Sequence, residues 1–293
     1  MKFDKTFIAI RERGILDILD LALHVATDHF RALACLLVVG VLPWVVLDFW
    51  LLGWMIGDDD FSSYYYWCMF LLVVNQAHVG TTFMTRYLGQ AMFAGKTSVK
   101  WTIGDVIKTT PYYYWIHGLW RMVVPAAVLG LLMNIEHYDE TIFVGSFLLP
   151  LCVFTGCAFR AFRPFVSEVL LLERTPISKK NPKLVHFSKR SKTLHGSASS
   201  DLFGRFMSVV FFLTPLFFSC YAMFVTIDGV LNLRANTEWS FAPYYWIAAL
   251  WIIAGYAAVV RFLSYIDIRI RQEGWAVELR VRAEGQLLVD SLD

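Results

Sequence analysis

Long apolar stretches with few charges dominate this chain. A membrane-spanning helix needs about 20 mostly apolar residues, because the hydrocarbon core of a bilayer is about 30 Å thick. Six stretches meet this length and predict transmembrane helices over residues 30–56, 64–87, 112–133, 142–162, 206–227 and 243–263. All six are too long for the alternating strands of a barrel, so the pattern predicts an all-α integral membrane protein.

Shorter amphipathic segments precede the first, third and fifth predicted spans. In residues 1–29, apolar positions from Ile15 to Ala26 recur at helical spacing, and similar stripes surround Ile103 and Phe187. Such helices can lie in the membrane interface. Each of these three spans also contains a proline, so the pattern indicates a weak threefold repeat of an interfacial helix and a helical hairpin. The prolines are Pro43, Pro125 and Pro215.

The first amphipathic helix carries acidic residues on its polar face, among them Asp17, Asp20 and Asp28. Interfacial helices normally carry Lys and Arg there. Packing of this helix against the basic loop of residues 163–205 is therefore the alternative to a position on the lipid surface.

Basic residues are distributed unevenly between the two sides of the predicted spans. All 26 Lys and Arg residues except Arg121 and Arg234 fall on the side that holds both termini. Because cytoplasmic loops are enriched in Lys and Arg, both termini, the loop 163–205 and the tail 264–293 are predicted to be cytoplasmic. The predicted location is a plasma or bacterial inner membrane.

The composition agrees with a membrane protein. Of the 293 residues, 57% are hydrophobic and 17% are charged, against roughly 45–50% and about 25% in soluble domains. These values exclude a disordered chain and argue against a soluble enzyme. The net charge is only +2, so no nucleic-acid partner is expected.

Motifs of enzymatic chemistry are missing from the sequence. It has no nucleotide-binding glycine loop, no nucleophile elbow and no HExxH pair. The five cysteines lie in predicted spans, without CxxC or zinc-ligand spacing. We therefore expect no metal, no cofactor and no enzymatic activity.

Several local patterns in the sequence point to the same family. They are Asp28-His29-Phe30-Arg31, Leu42-Pro43, the segments 89–95, 166–173 and 187–191, Tyr265-Ile266-Asp267-Ile268-Arg269 and Glu273-Gly274-Trp275. Together they resemble six-span bacterial membrane proteins related to the membrane domain of glycerophosphoryl diester phosphodiesterases. The resemblance implies six helices in a bacterial inner membrane. It does not imply phosphodiesterase activity, which belongs to a separate barrel of about 250 residues.

A basic cluster in the loop 163–205 is the first candidate site. Each cation near an anionic leaflet contributes about 1 kcal/mol of attraction. The cluster predicts binding of anionic lipid headgroups or of an acidic protein surface, and the alternative is that it only fixes the topology. Its members are Lys179, Lys180, Lys183, Lys189, Arg190 and Lys192.

Polar residues inside the predicted spans are the second candidate site. A charge at the bilayer centre costs at least about 2.5–3.5 kcal/mol, so such residues face the bundle interior or a cavity. They could form a path for a solute or a proton, or make interhelical hydrogen bonds that stabilise the bundle. They are Asp48, Asn75, Gln76, His78, His117 and Arg121.

Glu168 and Glu173 are a weaker candidate for acid–base chemistry. No nucleophile or metal ligand accompanies them in the sequence, so salt bridges to the basic loop or helix capping are the simpler interpretation.

The leading hypothesis is a non-enzymatic membrane subunit that binds lipid and anchors or organises a protein partner at the cytoplasmic face. The alternative is a transporter or channel for a small solute or lipid, which would use the polar residues of the spans.

Overall fold

A computed structural model describes residues 13–56, 62–94, 98–108, 157, 161, 163–173, 186–196, 199–231 and 242–273. Within these ranges the regular elements are all helices and no strand occurs. The predicted all-α class is therefore confirmed.

The helices are numbered in chain order through the described ranges. A 3₁₀ turn at Gly53–Met55 extends the second of them. They are α1 (Ile15–Asp28), α2 (Phe30–Leu52), α3 (Ser62–Gly80), α4 (Thr82–Ala94), α5 (99–108), α6 (Val166–Leu172), α7 (Phe187–Gly196), α8 (Ser199–Leu231) and α9 (Ala242–Glu273).

Three helices in the described part of the chain are long and apolar enough to cross a membrane. They cover Phe30–Met55, Ser200–Leu231 and Ala242–Gln272, and they correspond to the first, fifth and sixth predicted spans. The third predicted span, and all of the fourth except residues 157 and 161, lie outside the described residues.

The second predicted span is not among these three helices. It is divided between α3 and α4, which meet at Thr81. Asn75, Gln76 and His78 lower the mean hydropathy of α3, so its composition is too polar for it to count among the candidate membrane spans. The hydroxyl of Thr81 donates to the carbonyl oxygen of Ala77 at 2.6 Å, a contact that often bends helices.

Helix α9, the last in the described part of the chain, is the element against which most of the other described helices pack. Helices α1, α2, α3, α4, α7 and α8 all contact it. In the most apolar 18-residue stretch of α9, 61% of the residues are buried. In the corresponding stretch of α8, only 6% are buried. The fold therefore places α9 inside the bundle and α8 at its periphery.

Apolar side chains of α9 contribute to both large core clusters. Ile247 and Trp251 pack with α2 and α3 residues such as Leu52 and Met69. Further along, Phe262 and neighbouring residues pack with α1, α2 and α4. This second cluster includes the buried residues Tyr265 and Ile268. It therefore extends beyond residue 263, into the segment that the sequence predicts as the cytoplasmic tail.

The amphipathic helix α1 packs mainly on α9. Its apolar stripe buries Ile18 and Ala22 almost completely. The hydroxyl of Tyr256 on α9 donates to the carbonyl oxygen of Leu19 at 2.8 Å. The complementary apolar surface of α9 explains this position.

Glycines allow α2, α3 and α9 to approach each other closely. A Cβ atom added to Gly40 on α2 would overlap the carbonyl oxygen of Gly80 and lie 3.0 Å from Phe83 Cδ2. A Cβ atom on Gly80 would lie 2.8 Å from Cζ3 of Trp251 on α9. Small residues at such crossings are typical of membrane helices that pack backbone to backbone.

Replacing Gly40 by alanine should destabilise the protein by about 1–3 kcal/mol, the usual cost of overpacking. The added methyl group meets backbone of α3, which cannot rotate away. The midpoint of thermal unfolding in detergent should fall.

The control is Gly204→Ala on the exposed face of α8, where a Cβ atom meets nothing within 4 Å. It should leave the midpoint unchanged or raise it slightly, since alanine favours helix by up to about 1 kcal/mol. Equal midpoints for the two variants would contradict the close α2–α3 crossing.

Candidate functional site

Arg261 joins three helices at the centre of a buried polar cluster. Its Nε donates to Glu168 Oε1 of α6 at 2.6 Å, and its Nη1 lies 2.6 Å from His78 Nδ1 of α3. Ser167 Oγ lies 3.4 Å from the same ring nitrogen. The Glu168 side chain is 0% exposed and that of Arg261 is 14% exposed, so an opposite-charge pair lies inside the bundle.

The hydrogen bond between Arg261 and His78 fixes the protonation of the histidine. A guanidinium donates hydrogen bonds and accepts none. His78 Nδ1 must therefore be the acceptor, which places the ring proton on Nε2 and leaves the ring neutral. The charges of Arg261 and Glu168 then balance each other.

A second ion-pair group lies nearer the C-terminal end of α9. Glu173, just after α6, accepts two hydrogen bonds from Arg190 of α7, at 2.6 and 2.9 Å. The hydroxyl of Tyr265 donates to Glu173 Oε1 at 2.6 Å, and Arg269 Nη1 lies 3.6 Å from that oxygen. This group ties α6 and α7 to α9.

A third group surrounds Asp267. Its Oδ1 accepts from the backbone N–H of Arg13 at 2.9 Å. Its Oδ2 lies 2.9 Å from Arg205 Nη2 of α8 and 3.0 Å from Arg271 Nε. Arg205 Nε also donates to Asp201 Oδ2 at 2.9 Å. The three groups follow one another along α9 and connect it to α3, α6, α7, α8 and Arg13, two residues before α1.

A cavity of about 840 Å³ lies between α3, α8 and α9. Nearly all of its described lining is aromatic or aliphatic. It extends along α9 from Trp246 to Ser264, which is about 27 Å of helix at 1.5 Å per residue. Such a volume fits a ligand of substantial size, since binding pockets typically measure about 300–1,000 Å³.

One end of this cavity carries its basic side chains, and we call it the basic end. It is formed by His78, Arg205, Arg261 and Ser264. No Asp or Glu occurs among the described lining residues. The two arginines each belong to an ion-pair group described above, so their positions are fixed by carboxylates that lie outside the lining.

The structure brings some of the predicted intramembrane residues into contact and separates others. Gln76 Nε2 donates to Asp48 Oδ1 at 2.6 Å, and both residues are buried. Asn75 donates to the carbonyl oxygen of Leu71 in its own helix at 2.7 Å. His78 lies at the basic end instead. His117 and Arg121 lie outside the described residues.

The predicted basic cluster divides in a similar way. Arg190 is held by Glu173 as described above. Lys189 and Lys192 are exposed on α7. Lys179, Lys180 and Lys183 lie outside the described residues.

Sequence reasoning missed the arginines of the basic end. Arg205 and Arg261 entered it only as cytoplasmic charges, and Glu168 entered it as a weak catalytic candidate whose simpler interpretation was a salt bridge to the basic loop or a helix cap. The available signal was the spacing of Arg261, Tyr265 and Arg269 by four residues, which places polar groups on one face of an otherwise apolar helix.

Comparison with protein-family models, with curated proteins and with solved structures finds no match to this chain. The described geometry therefore carries the functional inference.

Replacing Arg261 by glutamine should destabilise the protein by about 3–5 kcal/mol, because Glu168 would be left as an unpaired buried charge. The double variant Glu168→Gln, Arg261→Gln should recover most of this loss, since it removes both charges. Denaturant unfolding of the purified protein in detergent measures both effects.

The control pair is His24 and Asp20 on α1, whose side chains are 71% and 74% exposed and lie 3.8 Å apart. His24→Ala should produce no measurable change, because exposed pairs contribute little. A double variant as unstable as Arg261→Gln would contradict the coupling between Arg261 and Glu168.

Proposed function

We propose that this chain is a non-enzymatic, six-span inner-membrane protein that binds a membrane lipid and organises a protein partner at its cytoplasmic face. Three helices that are long and apolar enough to cross a membrane support a multi-pass arrangement. The asymmetry of Lys and Arg supports cytoplasmic termini. The resemblance to the membrane domain of glycerophosphoryl diester phosphodiesterases supports the count of six.

The cavity between α3, α8 and α9 is the observation that carries the proposal. Two of the helices that line it, α8 and α9, are candidate membrane spans. Its lining is apolar over most of its length. Inside a bilayer, the abundant molecules that match such a surface are lipids, whose acyl chains could lie along α9.

The ionisable groups around the cavity support a binding role rather than a catalytic one. Arg261 is held by Glu168 and Arg205 by Asp201 and Asp267. The contacts with Glu168 and Asp267 join helices to each other, and the contact with Asp201 lies within α8, so the charges have a structural use. Lys189 and Lys192, exposed on α7, supply positive charge for an acidic partner surface.

Ala257→Trp should displace the lipid, because Ala257 lines the cavity on α9 and an indole would occupy its volume. We expect lipid that co-purifies with the wild-type protein to be lost from this variant. Native mass spectrometry after mild detergent extraction counts the lipids retained per protein.

The matched control is Ala222→Trp on α8, which is exposed and does not line the cavity. It should retain lipid as the wild type does. Equal retention by both tryptophan variants would contradict a lipid in this cavity, as would a wild-type protein that retains none.

A transporter of a small solute or proton is the second candidate. The buried contact between Asp48 and Gln76 favours it, because Asp48 Oδ2, Gln76 Oε1 and the Tyr65 hydroxyl have no hydrogen-bond partner among the described residues. Buried carboxylates in membrane helices commonly mark proton and ion pathways.

If Asp48 carries protons, Asp48→Asn should abolish proton uptake while keeping the hydrogen bond to Gln76. The measurement is acidification of liposomes that contain the protein and a pH-sensitive dye, under an imposed pH gradient. Lys189→Gln, which changes an exposed charge, should behave as wild type. Wild-type liposomes that acidify no faster than empty ones would eliminate this candidate.

A further inference from the structure

We infer that the lipid of the cavity is an anionic amphiphile, an acyl chain that ends in a phosphate or carboxylate, and that Arg205 and Arg261 bind its anionic group. This inference rests on the proposed lipid-binding function and specifies the chemistry of its ligand. It differs from the basic-loop hypothesis, because it places the anion at the basic end of the cavity.

Arg261 has hydrogen-bonding capacity that its protein partners do not use. Its Nε donates to Glu168 and its Nη1 to His78. Its Nη2 is buried and has no hydrogen-bond partner among the described residues. A guanidinium has five N–H donors, and leaving a buried donor unsatisfied costs about 1–3 kcal/mol. A ligand oxygen would remove that cost.

Arg205 repeats this arrangement from the opposite wall of the cavity. Its Nε donates to Asp201, and its Nη2 lies 2.9 Å from Asp267. Its Nη1 is buried without a hydrogen-bond partner in the described part of the chain. The side chain is only 10% exposed. Two fixed guanidinium groups, each with an unused nitrogen, therefore lie at the same end of one cavity.

The charge of the lining selects the sign of the ligand. Both formal charges among the described lining residues are positive, and the hydrogen bond to Arg261 leaves His78 neutral. Arginine binds carboxylate and phosphate oxygens through parallel hydrogen bonds of high strength. A zwitterionic headgroup would bring its own cation to these arginines, so it should bind less tightly than an anionic one.

The position of the arginines along α9 suits a lipid headgroup. From Ala242 to Arg261 the helix is about 29 Å long at 1.5 Å per residue. This length matches the hydrocarbon thickness of about 30 Å. When α9 spans the bilayer, Arg261 lies at the level of the headgroups and the apolar part of the cavity lies among acyl chains.

The test measures which lipid the full-length protein retains. The purified wild type is equilibrated with mixed micelles of phosphatidylglycerol and phosphatidylcholine with identical acyl chains, and native mass spectrometry reports the bound ratio. A second arm offers oleate against oleyl alcohol. We expect preference for the anionic member in at least one arm. The arm that shows it tells whether the anion is a phosphodiester or a carboxylate.

Arg205→Gln is the primary variant, because it leaves no buried carboxylate unpaired. Asp267 keeps Arg271 and the Arg13 backbone, and the Asp201 side chain is 50% exposed. We expect the preference for the anionic lipid to fall about tenfold, the equivalent of one charge-assisted hydrogen bond. The double variant Glu168→Gln, Arg261→Gln should reduce it as well, without leaving a buried charge alone.

The control is Lys189→Gln combined with Lys192→Gln, which removes two exposed cations outside the cavity. It should keep the wild-type preference. Loss of preference in this control but not in Arg205→Gln would overturn the inference in favour of the loop. A wild type whose lipid is lost in Ala257→Trp but shows no preference in either arm would overturn the anionic ligand alone. A wild type that retains no lipid would overturn the proposed function itself.

Discussion

The rest of this structure depends on the requirement that every charge inside an apolar helical bundle must meet a partner. The last helix carries Arg261, Asp267 and Arg269 within its buried length, and each is paired with a side chain from a different segment. A shift of α9 by one turn would separate all of these pairs together. The ion pairs therefore set the register of α9 against α6, α8 and Glu173, which lies just after α6.

The same requirement accounts for the chemical character of the cavity. The carboxylates that hold the two arginines approach from outside the lining, so the ion pairs stabilise the helices while one nitrogen of each guanidinium keeps no hydrogen-bond partner among the described residues. Each arginine then presents a held guanidinium next to an apolar space. A rigid donor beside a long apolar surface is the arrangement that an amphiphile with an anionic end would match, and it needs little reorganisation on binding.

The helices packed against α9 differ in how closely they approach it. Gly40 and Gly80 let α2, α3 and α9 meet almost backbone to backbone. Helix α8, by contrast, buries little of its apolar length and exposes large side chains such as Phe211 and Phe218. The cavity therefore lies between a closely packed part of the bundle and a peripheral helix.

The sequence by itself determined the class of this protein, because an apolar run of about 20 residues has only one hydrogen-bonded solution in a bilayer, the helix. It also located three of the long helices and the amphipathic character of α1, since periodicity is a local property. Only the tertiary structure decided which charges are partners. Glu168 and Arg261 are separated by 93 positions, and no local pattern connects them. Whether Arg205 can bind a ligand likewise depends on its neighbours in the folded protein. The sequence alone does not tell whether an arginine lies in water or beside a cavity.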